Sequence, residues 1–209
     1  MTSPDAAVRS GSKWRIAAAL LLAATVAQLA VATFVPNLEQ FAGKAFLSRL
    51  IAYPVMMLIA PTAWWLVTRR RSPSSAMPWA AVALIMVPFL IDVTGNTLDL
   101  YDTVWWWDDA NHFVNWAFLS AGVGVMIARD QRARGWLLVL AVTGVGAIMA
   151  ILWEIGEYYA FIRGGTELAG AYTDTLGDEV LGTLGGLVGA LILAWTLRTP
   201  RPRTTSTAI

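Results

Sequence analysis

Residues 136–159 read WLLVLAVTGVGAIMAILWEIGEYY, and the first 18 of them carry no charged side chain. An apolar run of this length crosses a bilayer as a helix, at about 1.5 Å per residue over roughly 30 Å of hydrocarbon. A strand is the poorer reading. The run is continuous rather than alternating, and an open sheet edge leaves backbone groups unsatisfied in lipid. The run then meets Glu154 and Glu157, which lie one helical turn apart on one face.

The rest of the chain is built the same way. Further apolar runs cover 16–35, 50–67, 77–91, 110–128 and 180–197, and Pro54 and Pro61 predict a bend in the second of these. The chain of 209 residues is 57% hydrophobic and 14% charged, with a mean hydropathy of +0.58. Soluble domains carry about a quarter charged residues, so a water-facing surface is excluded for most of this chain. The expected fold is all-α: a polytopic membrane helix bundle of about six transmembrane helices, forming one domain over 13–198. Residues 1–12 are small and polar, residues 199–209 are rich in Pro, Arg and Thr, and both are expected as disordered cytoplasmic tails. The run 16–35 is too long for a signal-peptide core and is read as an uncleaved span.

The basic residues orient the bundle. Arg9, Lys13 and Arg15 precede the first span; Arg69, Arg70 and Arg71 follow the second; Arg129, Arg132 and Arg134 follow the fourth; Arg198, Arg201 and Arg203 follow the sixth. Twelve of the fifteen Lys and Arg therefore share one side, and both termini are expected to be cytoplasmic. Only Asp5 and Asp130 join them there. The other twelve acids fall in the outer loops or the outer ends of spans three to six. Helical spacing predicts that the deepest of these form a single polar pocket. There is no cysteine, which excludes disulfides, thiol nucleophiles and Cys-ligated zinc.

Four motifs carry the polar chemistry. Asp108, Asp109 and His112 open span four, with both aspartates on the face of the only histidine and Asn111 and Asn115 extending the patch. One aspartate is equally well explained as a helix N-cap. Glu154 and Glu157, next to Tyr158, end span five; two carboxylates so close require a proton or a cation between them. Asp174 and Asp178 lead into span six, and Gly182 and Gly186 continue their stripe at the spacing that lets helices pack closely. Asp92, Asn96 and Asp99 stack on one face at the end of span three. Trp105, Trp106 and Trp107 suit an interfacial aromatic belt. No phosphate-binding loop, zinc-protease motif or nucleophile elbow is present.

The order of these motifs resembles the YjdF-like family of bacterial inner-membrane proteins. The likeness rests on Asp92 with Gly95-Asn96, Tyr101-Asp102, Asp109 with His112-Phe113, Glu154 and Glu157, then Asp174-Thr175 with Asp178, Gly182 and Gly186. It covers roughly residues 88 to 190. More distantly the arrangement is similar to VanZ-like proteins, which also place an acid–His–Phe segment before a Glu-bearing helix and a Gly-rich last helix. The triple tryptophan before Asp108 departs from both. The resemblance implies a multi-pass protein of the bacterial cytoplasmic (inner, plasma) membrane with a shared polar site, and it implies no particular reaction.

Three functions stay open at this point. In the first, Asp109, His112, Glu154 and Asp178 hold a divalent metal, Glu154 and Glu157 supply catalytic carboxylates, and the chain is a hydrolase or transferase for a lipid or lipid-linked envelope substrate. Asp92, Asn96, Asp99, Asp108, Asn115, Tyr158 and Asp174 support that pocket. In the second, the acids and His112 couple proton or cation transport. In the third, the pocket binds a lipid or partner without catalysis. Membrane lipids are the expected partners, nucleic acid is not, and the glycines of span six would also serve a homodimer.

Overall fold

The computed structural model describes residues 4–35, 38–71, 76–129, 134–163 and 170–198. Every regular element among them is helical: α1 (Pro4–Phe34), α2 (Phe46–Arg71), α3 (Trp79–Thr97), the short α4 (Leu100–Thr103), α5 (Trp107–Arg129), α6 (Trp136–Glu157) and α7 (Ala171–Arg198). A 3₁₀ turn lies at Glu39–Phe41, and a π turn at Tyr158–Ile162 extends α6. The chain is an all-α membrane bundle.

Two boundaries differ from expectation. Helix α1 begins at Pro4, inside the stretch 1–12 expected as a disordered tail. Proline suits the first helical position, and Ala6 and Ala7 that follow are strong helix formers. The second expected tail, 199–209, lies outside the described residues. Helix α7 begins at Ala171 rather than near 180, because Asp174 favours a helical first turn through the positive end of the dipole. Asp178 is therefore well inside the helix.

Among the described residues, five helices are long and apolar enough to cross a membrane: those within Gly11–Phe34, Phe46–Arg69, Trp79–Thr97, Trp136–Ala160 and Ala171–Arg198. The polar start of α5, with Asn111, His112 and Asn115, keeps it out of that set although it has 23 residues. It nevertheless sits at the centre of the packing. It lies against α7 most extensively, then against α3 and α6, while α1 bridges α2 and α3. A helix enclosed by spanning helices can carry a polar face without showing it to lipid. Crossing by α5 is directly testable, since the chain has no cysteine of its own. Cysteines placed at Ala76 and at Tyr172, both exposed, should react with an impermeant maleimide from opposite sides of the membrane. Labelling from the same side would mean that α5 does not cross.

Glycines set the closest approach. A Cβ on Gly185 or Gly189 would strike the carbonyl oxygen of Phe113 or Ala117, so the backbones of α5 and α7 touch there. A Cβ on Gly182 would meet the Trp116 ring at 2.7 Å and Ala150 at 3.1 Å, and one on Gly186 would meet Ser120 at 3.1 Å. Gly182 and Gly186 thus face the junction of α5, α6 and α7, while Gly185 and Gly189 form the seam itself. Lipid tails are as apolar as leucine, so such helices are held by close van der Waals contact rather than by exclusion of water.

Candidate functional site

Helix α5 carries Asp108 in its first turn and His112 one turn deeper, so the two share a face. The α5–α7 seam brings Asp178 beside them, and α6 brings Glu154 from the other side. His112 Nε2 lies 3.6 Å from Asp108 Oδ1 and 3.6 Å from Asp178 Oδ1; its Nδ1 lies 3.8 Å from Glu154 Oε1. His112, Glu154 and Asp178 are 8%, 5% and 4% exposed. His112 Nδ1 and Glu154 Oε1 have no hydrogen-bond partner although both are buried. Buried polar atoms without partners are rare, and they mark either strain or a missing ligand. Asp108, His112 and Asp178 form one donor group able to hold a metal ion, and His112, Glu154 and Glu157 form a second.

Asp109 is not brought into this cluster. It is exposed on the flank of α5, and the neighbouring Asp108 takes the place facing His112. Asp174 is also exposed, and Tyr158 is 40% exposed and packs edge-on against Tyr159. Asn115 donates to Asn111 Oδ1 at 3.1 Å, and Asn111 donates to the Trp107 carbonyl at 3.0 Å. These bonds occupy the outer turns of α5 without reaching the carboxylates.

Asp92 of span three has its own set of hydrogen-bond partners, yet it lines the same cleft as His112, so the pocket expected from spacing holds two polar clusters along one wall. Asp92 accepts from Arg49 Nη1 at 2.6 Å, from Tyr101 at 2.8 Å, from Asn96 at 3.2 Å and from the Tyr53 hydroxyl. With that many donors the Asp92 carboxylate is a tie between α2, α3 and α4. At the lip of the bundle, Lys44 Nζ pairs with Asp99 at 2.5 Å and Asp102 at 2.7 Å. Partial burial lowers the Lys44 pKa, but hydrogen bonds to Asp102 and Asp99 outweigh it and the net shift is upward. The hydrogen bond from Lys44 in turn holds the Asp102 carboxyl below its usual value. Burial, reinforced by Asp92, pushes the Tyr101 phenol up, so it stays a neutral donor. Sequence spacing does not find Arg49, Tyr53 or Lys44. Their only signal is opposite charge on adjacent spans, and spacing within one helix cannot report the register between two.

A cleft runs between α3 and α5. Tyr53, Asp92, Tyr101, Asn111, His112 and Asn115 give it a polar wall, while Pro88, Phe89, Trp116, Leu119 and Trp153 of α6 give it an apolar one. His112 therefore belongs both to the carboxylate cluster and to the wall of this cleft. Trp105 and Trp106 are exposed at the rim, whereas Trp107 turns inward against Tyr101 and Gly95.

A sequence family described as "Predicted membrane protein (DUF2238)" matches residues 17–199. No curated protein and no solved structure matches the chain.

Proposed function

The chain belongs to the DUF2238 family of predicted membrane proteins, and we propose that it is a metal-dependent hydrolase or transferase acting on a lipid or lipid-linked substrate at the outer leaflet of a bacterial cytoplasmic membrane. The earlier resemblance to YjdF-like proteins agrees with that membership. One observation carries the reading. The 3.6 Å separations around His112 Nε2 are too long for hydrogen bonds. They are close to the distance of about 3.4 Å between ligands of a tetrahedral site with bonds of about 2.0–2.1 Å.

Asp108, His112 and Asp178 would hold the ion. A divalent cation there would polarise a phosphoryl or acyl oxygen or lower the pKa of water. Glu157, within the second donor group, would take a proton from an attacking nucleophile. The cleft supports an amphiphilic substrate, because one of its walls is polar and the other apolar. Transport is less well supported. Below His112 the contacts between α5, α6 and α7 pass through Ser120, Gly146, Gly124, Val142 and Leu193, with no charged group among the described residues.

Metal content of protein purified in detergent tests the proposal. Wild type and Asp109→Asn should each retain close to one divalent ion per chain after removal of loose metal, whereas His112→Ala and Asp178→Asn should lose it. Metal-free wild type that also fails to take up Zn²⁺ or Mn²⁺ on titration would sink the reading.

A further inference from the structure

We infer that Glu154 is a positioning residue rather than a ligand: it receives the Nδ1–H of His112 and thereby presents Nε2 to a cation shared with Asp108 and Asp178. The inference rests on the metal reading above and assigns the roles within it.

Two donor groups meet at one imidazole. A neutral imidazole has one lone pair and one N–H, so only one of its nitrogens can receive a cation while the ring keeps its proton. Access decides which. The Asp108 side chain is 44% exposed, which gives the Nε2 side an entry path and room for an exchangeable position. On the Nδ1 side the His112 and Glu154 side chains are 9% and 6% exposed and Glu157 is partly buried, so that side is the more enclosed of the two. With Nε2 committed to the ion, Nδ1 must carry the proton, and the oxygen it faces is Glu154 Oε1.

That arrangement also accounts for two orphaned atoms at once. His112 Nδ1 and Glu154 Oε1 are both buried and without partners, and they face each other at 3.8 Å. The gap exceeds a hydrogen bond by less than about 1 Å, and hydrogen bonds within a site commonly tighten only when the ligand arrives. A carboxylate behind a metal-bound histidine fixes the tautomer and raises ligand basicity, and its loss typically weakens metal binding by about 10–100-fold.

His112 is the only histidine in the chain, so histidine-selective ¹⁵N labelling yields ring signals free of overlap. Full-length protein in nanodiscs would be titrated with Zn²⁺ and, separately, with ¹¹³Cd²⁺. The expected result is a protonated Nδ1, a zinc-dependent shift at Nε2 and a one-bond cadmium coupling to Nε2 alone. Glu154→Leu should keep one site per chain but bind zinc about 10–100-fold more weakly. Glu154→Gln, whose amide oxygen still accepts, should recover part of that loss. Cadmium coupling at Nδ1, or wild-type affinity in Glu154→Leu, would overturn the assignment while leaving the metal reading intact. No response of either nitrogen to zinc or cadmium would overturn both.

Discussion

Asp92→Ala should destabilise the bundle by about 3–5 kcal/mol, the range expected when one partner of a buried ion pair is removed. The Asp92 and Arg49 side chains are 14% and 12% exposed and 2.6 Å apart. Asp92 also takes hydrogen bonds from Tyr53, Tyr101 and Asn96. Truncation would strip a low-dielectric site of the carboxylate that satisfies four donors, and that unmet demand is the source of the cost. The tie also joins α2 to α3, which share little other contact. Thermal or SDS-induced unfolding in micelles provides the measurement. The double variant Asp92→Leu/Arg49→Met should be markedly more stable than Asp92→Ala, since an apolar pair of similar volume needs no compensating charge. A cost below about 1 kcal/mol for Asp92→Ala would refute the view of this residue as a structural tie.

Gly185→Val should also be damaging, for a steric reason. A Cβ at this position meets the Phe113 carbonyl oxygen, carbon and Cα, all of them backbone atoms that cannot rotate aside. The helices must separate, and the α5–α7 seam is the most extensive in the bundle. Overpacking of this kind costs about 1–3 kcal/mol and sometimes more, and a backbone clash belongs at the upper end. Separation would also withdraw Asp178 from His112, so zinc binding should fall together with the melting temperature. Gly144 and Gly177 supply the contrast. A Cβ on either meets nothing within 4 Å, so Gly144→Ala and Gly177→Ala should be neutral or stabilising by up to about 1 kcal/mol. Equal melting of Gly185→Val and Gly144→Ala would remove the argument.

The site was partly legible in the sequence, for reasons that stop at the edge of each helix. Spacing of three and four within a helix places both Asp108 and Asp109 on the His112 face, and it cannot choose between them. The choice follows from how α5 is rotated between α3 and α7, and that rotation is set by Gly185 and Gly189 lying on the carbonyls of Phe113 and Ala117. The same limit applies to Asp92. Its depth marks it as a residue needing a partner, but Arg49 becomes that partner only through the packing of α2 beside α3.

By itself, the sequence determined that the chain is a multi-span helical membrane protein. It also predicts, if α5 crosses, that nearly all its acids lie on the side opposite the arginines. Both follow from the bilayer acting as solvent, which constrains apolar length and charge residue by residue. The run at 136–153 is therefore readable without a partner. Which carboxylates meet depends on how the helices pack. That packing drew Asp108, Glu154 and Asp178 around His112 and drew Asp92 to Arg49 instead. Inter-helix register depends on close contact between glycine surfaces and facing backbones, and such contact exists only once the helices have packed.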